Sequence, residues 1–209
     1  MTRVSINNVI HSAVRRDLAR FDAALRAFPA GSSARAKHLL SAWKYFFDEL
    51  EHHHHSEADI VWPTLRQLGV PETLLREFDA EHDALHGALV TADKAFEAFA
   101  RDPSSAAAQT TRAAVVEVAR VGELHLAHED AELELVFAKH RGSRELKAMG
   151  RKFGDRPLFT TGDFFVWLQN GASASEKASI RAEIPPPVVA IIGTLCGRRY
   201  RKLAATWST

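Results

Sequence analysis

Residues 51–57 read Glu51-His52-His53-His54-His55-Ser56-Glu57, and Ile60-Val61-Trp62-Pro63-Thr64-Leu65 follows two residues later. A purification tag sits at a terminus beside a linker. This run lies instead between KYFFDEL (44–50) and IVWPTL (60–65), both of which read as packed structure. It is native, and it needs a chemical account. Residues four apart on a helix share a face, so the partner of Glu57 is His53. His52 and His54 are each turned by about 100°, toward neighbouring helices or solvent, and His55 points away from that face.

Outward from this run the chain reads as helix. Ala, Leu, Arg and Glu dominate the first 140 residues, as helix propensity prefers, and strand signals are nearly absent. Breaks fall at FPAGSS (28–33), LGVPET (68–73), RDPSS (101–105) and HRGS (140–143), each pairing Pro or Gly with Ser or Thr. They delimit helical segments near 5–28, 33–68, 72–101 and 104–140. Short connections between long helices make neighbours antiparallel. The expected fold is therefore all-α, an up-down-up-down four-helix bundle over residues 1–142, with a C-terminal helical extension over 143–209.

Each helix carries an apolar stripe at spacings of three and four. The first is His11, Val14, Leu18, Phe21, Leu25, Phe28, and the second is Phe46, Leu50, His53, Glu57, Ile60, Thr64. The third runs from Leu75 and Phe78 through His82, Leu85 with His86, and Leu89 to Ala92, Phe96 and Phe99. The fourth is Val115, Val118, Gly122, His125, Glu129, Leu133, Val136. Every stripe places histidine, and two place carboxylate, where apolar side chains belong. Burying unpaired polar groups costs several kcal/mol each, so such a set requires a compensating partner, and a cation is the economical one. Counted from the loops at about 1.5 Å per residue, these side chains fall in one slab of the bundle.

Five imidazoles with two carboxylates exceed the usual four ligands of a structural zinc and suit two adjacent ions bridged by carboxylate. Zinc and manganese are the alternatives that ligand type leaves open. Helical spacing pairs His82 with His86 and His125 with Glu129, while Asp130 is the alternative partner of His125, rotated further around the helix.

The order His11, His53-x-x-x-Glu57, His82-x-x-x-His86 and His125-x-x-x-Glu129-Asp130 resembles the hemerythrin family and its HHE cation-binding relatives. The match covers about residues 5–140, and IVWPTL resembles actinobacterial members. The resemblance implies a non-haem di-iron centre, two iron ions with a bridging oxo or hydroxo group. It assigns His82, His86 and His125 to one iron, His11 and His53 to the other, and Glu57 with one fourth-helix carboxylate to the bridge. Oxygen-carrying hemerythrins have Asp five residues after the last His, as Asp130 stands here. Many HHE relatives use Glu four after, as Glu129 does, and Glu129 lies nearer the centre of the stripe. The implied ligand is a small diatomic, dioxygen or nitric oxide, or peroxide. The implied function is binding or sensing of such a ligand or of iron itself, with catalase-like or nitric-oxide turnover as the alternative.

The remaining histidines take a plainer reading. His38 and His140 are surface residues, and His52, His54, His55 and His128 are at most supporting groups or a solvated face. His54 is the exception to watch, because its neighbour motif lies so close to the metal. Two carboxylates buried together without a cation are expected to raise the pKa of one of them.

The rest of the chain narrows the function class. Of 209 residues, 46% are apolar and 25% charged, and the net charge of +1 gives no nucleic-acid footprint. A single cysteine, Cys196, fits a reducing cytosol. The N-terminal stretch lacks the apolar core of a signal peptide, and Val188–Cys196 is too short to span a membrane, so a cytoplasmic location is expected. No serine, cysteine or lysine nucleophile and no phosphate-binding loop accompanies the histidines. In the extension, Phe164, Phe165, Trp167 and Leu168 form an apolar knot that should dock on the bundle. A last helix is expected from Pro187, and Arg198, Arg199, Tyr200, Arg201 and Lys202 offer a surface for a protein partner.

Overall fold

A computed structural model describes residues 5–153, 158–183, 194 and 196–207. Helix α1 (Ile6–Arg26) begins where the Ser5 hydroxyl accepts the N–H of Asn8 at 3.0 Å, an N-cap that satisfies a free donor of the first turn. Helix α2 (Ser33–Ser56) runs without a break through a π-helical turn (Glu57–Val61) into α3 (Trp62–Gln67). Helices α4 (Glu72–Arg101) and α5 (Ser105–Lys139) complete the bundle, and the Ser104 hydroxyl caps α5 on the N–H of Ala107 at 3.2 Å. No strand occurs among the described residues.

The loops fix the up-down order. The N–H of Gly31, between α1 and α2, donates to the Pro103 carbonyl, between α4 and α5, at 2.7 Å, so these two loops share one end of the bundle. At the other end Gly69 takes φ 83°, a left-handed conformation that costs glycine little. That turn lets Gly69 and Val70 donate back to the carbonyls of Arg66 and Leu65, closing α3.

The π-helical turn has a local cause. Pro63 has no N–H for the Asp59 carbonyl, and its ring crowds that carbonyl in a regular helix. The N–H of Trp62 reaches back five residues to Glu57 instead. This extra residue displaces the stripe that the sequence carries on through Ile60. Val61, Trp62, Thr64 and Leu65 are buried, whereas Ile60 is only partly so.

The core is divided. A large aromatic cluster fills the end nearer the α1–α2 loop, where Phe21 packs edge-on against Trp43, Phe46, Phe96 and Trp207 at 4.9–5.8 Å between centroids. A second apolar cluster of Val61, Trp62, Leu65, Leu75, Phe78 and Leu133 fills the other end. Between them the helices turn a buried layer of histidine and glutamate inward.

Beyond the bundle lie α6 (Arg144–Lys152), α7 (Leu158–Gln169), α8 (Ala174–Glu183), α9 (Arg198–Ala204) and a 3-10 turn (Ala205–Trp207). Phe165, Trp167 and Leu168 are buried in the large cluster, where the sequence expects a docking knot, and Phe164 packs on its edge. The Trp167 indole N–H donates to the buried carboxylate of Asp17 on α1 at 2.8 Å, and Arg20 holds the other oxygen at 2.9 Å. Tyr200, grouped by sequence with a partner surface, is instead a core residue against Tyr45. The expected helix start at Pro187 lies outside the described residues.

Candidate metal centre

Four helical rods supply the polar layer, each through the spacing that also builds its apolar stripe. From α1 comes His11, fully buried, and from α5 come His125 and Glu129, one turn apart and equally inaccessible. Helix α4 places Phe78, His82, Leu85 and Leu89 inward at spacings of four, three and four. The second rod contributes His53, His54 and Glu57.

These side chains converge as two groups. His11, His53, Glu57 and Glu129 offer ligand atoms that all lie within 4.8 Å of one another, and so do His54, Glu57, His82 and His125. Glu57 belongs to both groups. Its Oε1 lies 3.2 Å from His53 Nε2 in the first, and its Oε2 lies 3.5 Å from His82 Nε2 in the second. Glu129 Oε2 lies 3.2 Å from His11 Nε2 and 3.9 Å from His125 Nε2.

Two residues differ from the ligand set that the resemblance implies, one of them the His54 that the sequence marked as the exception to watch. His86 stands outside both groups, with its side chain 53% exposed and its Nδ1 3.0 Å from Glu51 Oε1. The reason is phase: Leu85, three residues after His82, takes the inward position, which turns His86 to the surface. In its stead His54 is buried, its ring stacked 4.2 Å from that of His82. The signal was present, since His54 precedes Glu57 by three residues and that spacing shares a face as well as four does. Asp130 also stands outside the groups, bonded to the far side of the His11 ring at 2.7 Å. His38, His52 and His55 are exposed, and His140 and His128 are partly so.

The electrostatics are those of a site short of positive charge. Burial, then repulsion from Glu129, pushes the Glu57 carboxyl well above its ordinary range. Burial also pushes Glu129 upward, but His11 and the other nearby imidazoles outweigh it and hold that carboxyl at about 2. Burial lowers His53 and His54 well below 6.5 and brings His82 to about 4. His11 moves the other way, because Asp130 and Glu129 together overcome its burial.

Both oxygens of Glu57 and of Glu129, and the Nε2 atoms of His54, His82 and His125, lack a hydrogen-bond partner among the described residues. Each orphaned buried polar atom costs about 1–3 kcal/mol, so this set rivals a typical total stability of about 5–15 kcal/mol. Cations at the two groups would accept lone pairs from these atoms. The donor set therefore fits metal, and the shared Glu57 fits two ions.

The family model of the hemerythrin HHE cation-binding domain matches residues 8–139, the span that carries all of these side chains. The chain belongs to that family. No curated protein and no solved structure matches it. In this hemerythrin HHE domain the polar layer is a buried His/Glu cluster able to hold metal, and no described helix is long and apolar enough to cross a membrane.

Proposed function

We propose that this hemerythrin HHE domain holds two iron ions and binds or senses a small ligand there: dioxygen, nitric oxide or iron itself. The observation that carries the reading is Glu57, whose two oxygens face imidazoles of two different buried groups. In this reading Glu57 bridges the ions. His11, His53 and Glu129 complete one ion's protein ligands, and His54, His82 and His125 complete the other's. Mixed nitrogen and oxygen donors on facing helices suit iron, which takes more donors than the four residues each group supplies and leaves room for a small ligand.

Bound iron would supply redox chemistry there. The chain's own part is to exclude and to orient. Leu50, Leu85, Trp62, Phe78 and Leu126 are buried around the layer and keep bulk water out. The Trp62 ring lies parallel to His82, centroids 5.8 Å apart, and is itself fixed by its N–H bond to Asp79 at 2.7 Å. The bundle of residues 1–142 carries the centre. In the extension of residues 143–209, the described helices α7 and α8 pack on α1 and α9 packs on α2, and the exposed Arg198 and Lys202 are where a protein partner is sought.

Anaerobic reduction of iron-loaded protein, followed by air and watched by visible absorption, separates the modes of action. A stable new band on air exposure supports reversible binding, and prompt oxidation supports sensing or turnover. Absence of any iron-dependent absorption contradicts the reading.

A further inference from the structure

Residues 128, 129 and 130 are consecutive on α5, and each step turns the side chain by about 100°. Glu129 points into the polar layer, so its neighbours must diverge to either side. Asp130 turns toward α1, where its Oδ1 lies 2.7 Å from His11 Nδ1 and its Oδ2 accepts from Arg15 Nη1 at 3.1 Å. His128 turns toward α4, where its Nδ1 lies 2.8 Å from Glu81 Oε1. The second oxygen of Glu81 lies 3.2 Å from Nδ1 of His125.

An ionised carboxylate only accepts hydrogen bonds, so the Nδ1 of His11 and of His125 must be the donor. A neutral imidazole that carries its proton on Nδ1 presents a bare lone pair at Nε2. Those Nε2 atoms face inward: that of His125 has no hydrogen-bond partner among the described residues, and that of His11 lies beside Glu129 and His53. Each carboxylate is held in turn from outside, Asp130 by Arg15 and Glu81 by His128.

We propose that Asp130 and Glu81 are positioning residues of the centre, one on each side, that hold a proton on Nδ1 of His11 and of His125 and so turn each Nε2 into the polar layer, where it would bind metal. The proposal rests on the two-ion reading above. It gives Asp130 a role one step outside the ligand set: Asp130 orients a ligand and does not bridge.

The test combines metal affinity with ring protonation. In metal-free wild-type protein at about pH 8, where an ordinary histidine is neutral, long-range nitrogen–proton NMR is expected to show a proton on Nδ1 of both His11 and His125. Rings without a proton on Nδ1 overturn the proposal, whatever metal the protein binds. Asp130→Ala and Glu81→Ala should weaken iron(II) binding by about 10–100-fold in anaerobic chelator competition. Asp130→Asn and Glu81→Gln keep an acceptor oxygen, and should recover most of that loss and the wild-type tautomers. Alanine variants that bind iron(II) as tightly as wild type overturn the proposal. So does Asp130→Asn losing a whole equivalent of iron, because Asp130 is then itself a ligand. Wild-type protein that takes up no iron overturns the two-ion reading instead, while the NMR result still decides the tautomers.

Discussion

His54 lies stacked on His82, ring centroids 4.2 Å apart and planes 20° from parallel, whereas His86, one turn along from His82, points to the surface. Adjacent positions in a run of four histidines thus have opposite fates: His54 is buried in the polar layer and His55 is exposed. The expected consequence is that His54→Ala loses about half of the bound metal, while His86→Ala and His55→Ala keep it. Elemental analysis of the purified variants checks this. Equal loss in His54→Ala and His86→Ala would show that α4 is rotated relative to the phase described above.

Much of this is legible in the sequence. Helix positions, the antiparallel order and the single polar layer all followed from periodicity and loop chemistry, because those signals are local. The inward set was harder to read where two histidines compete for one face. His53 and His54 both lie within reach of Glu57, and His86 and Leu85 both continue the stripe from His82. Packing of the neighbouring rod settles such choices, and spacing alone does not encode it. The shift after Glu57 was hidden for a related reason. Pro63 was visible in the sequence, but its effect, a wide turn that moves burial from Ile60 to Val61, is a response of the whole helix.

The metal-free protein should lose stability on mild acidification. His53, His54, His82 and His125 all have folded pKa values below the ordinary 6.5, so the unfolded chain binds more protons as pH falls beneath that value. Their contribution is present above about 6.5 and is lost as pH falls toward the folded values, about 4 for His82. His11 acts in the opposite sense, since its raised folded pKa favours the native state below 6.5. Glu57 does likewise, because its burial penalty is relieved as pH falls through its raised pKa. Asp17, also raised by burial, acts in that opposite sense too. But His53, His54 and His82 titrate across this range with large downward shifts and are expected to set the sign. Urea midpoints measured from about pH 7 to about pH 5 should therefore decline, and a rising midpoint over that range would contradict the assignment of neutral buried imidazoles.

Trp167→Phe should destabilise the fold by about 1–3 kcal/mol, because it removes the indole N–H that bonds the buried Asp17 carboxylate. The substitution leaves the polar layer untouched, so metal content should stay at the wild-type level. Chemical denaturation and elemental analysis on the same preparation report both quantities. Unchanged stability would mean that the extension does not depend on this contact.

Metal should stabilise the native state by mass action, since the two groups exist only when the helices are assembled. The melting temperature is expected to rise with iron(II) concentration under anaerobic conditions. Acid should reverse the rise as protons compete for the same imidazoles and carboxylates. Identical melting of metal-free and loaded protein would leave the orphaned atoms of the layer uncompensated.

If Glu57 joins two metal ions, the iron(II) stoichiometry of wild type and Glu57→Gln must report it. Wild-type protein should take up about two ions per chain, one for each buried group. Glu57→Gln should lose affinity at both positions together, because one side chain serves both. One ion per chain in the wild type, or a Glu57→Gln protein that still binds two as tightly, would contradict the account.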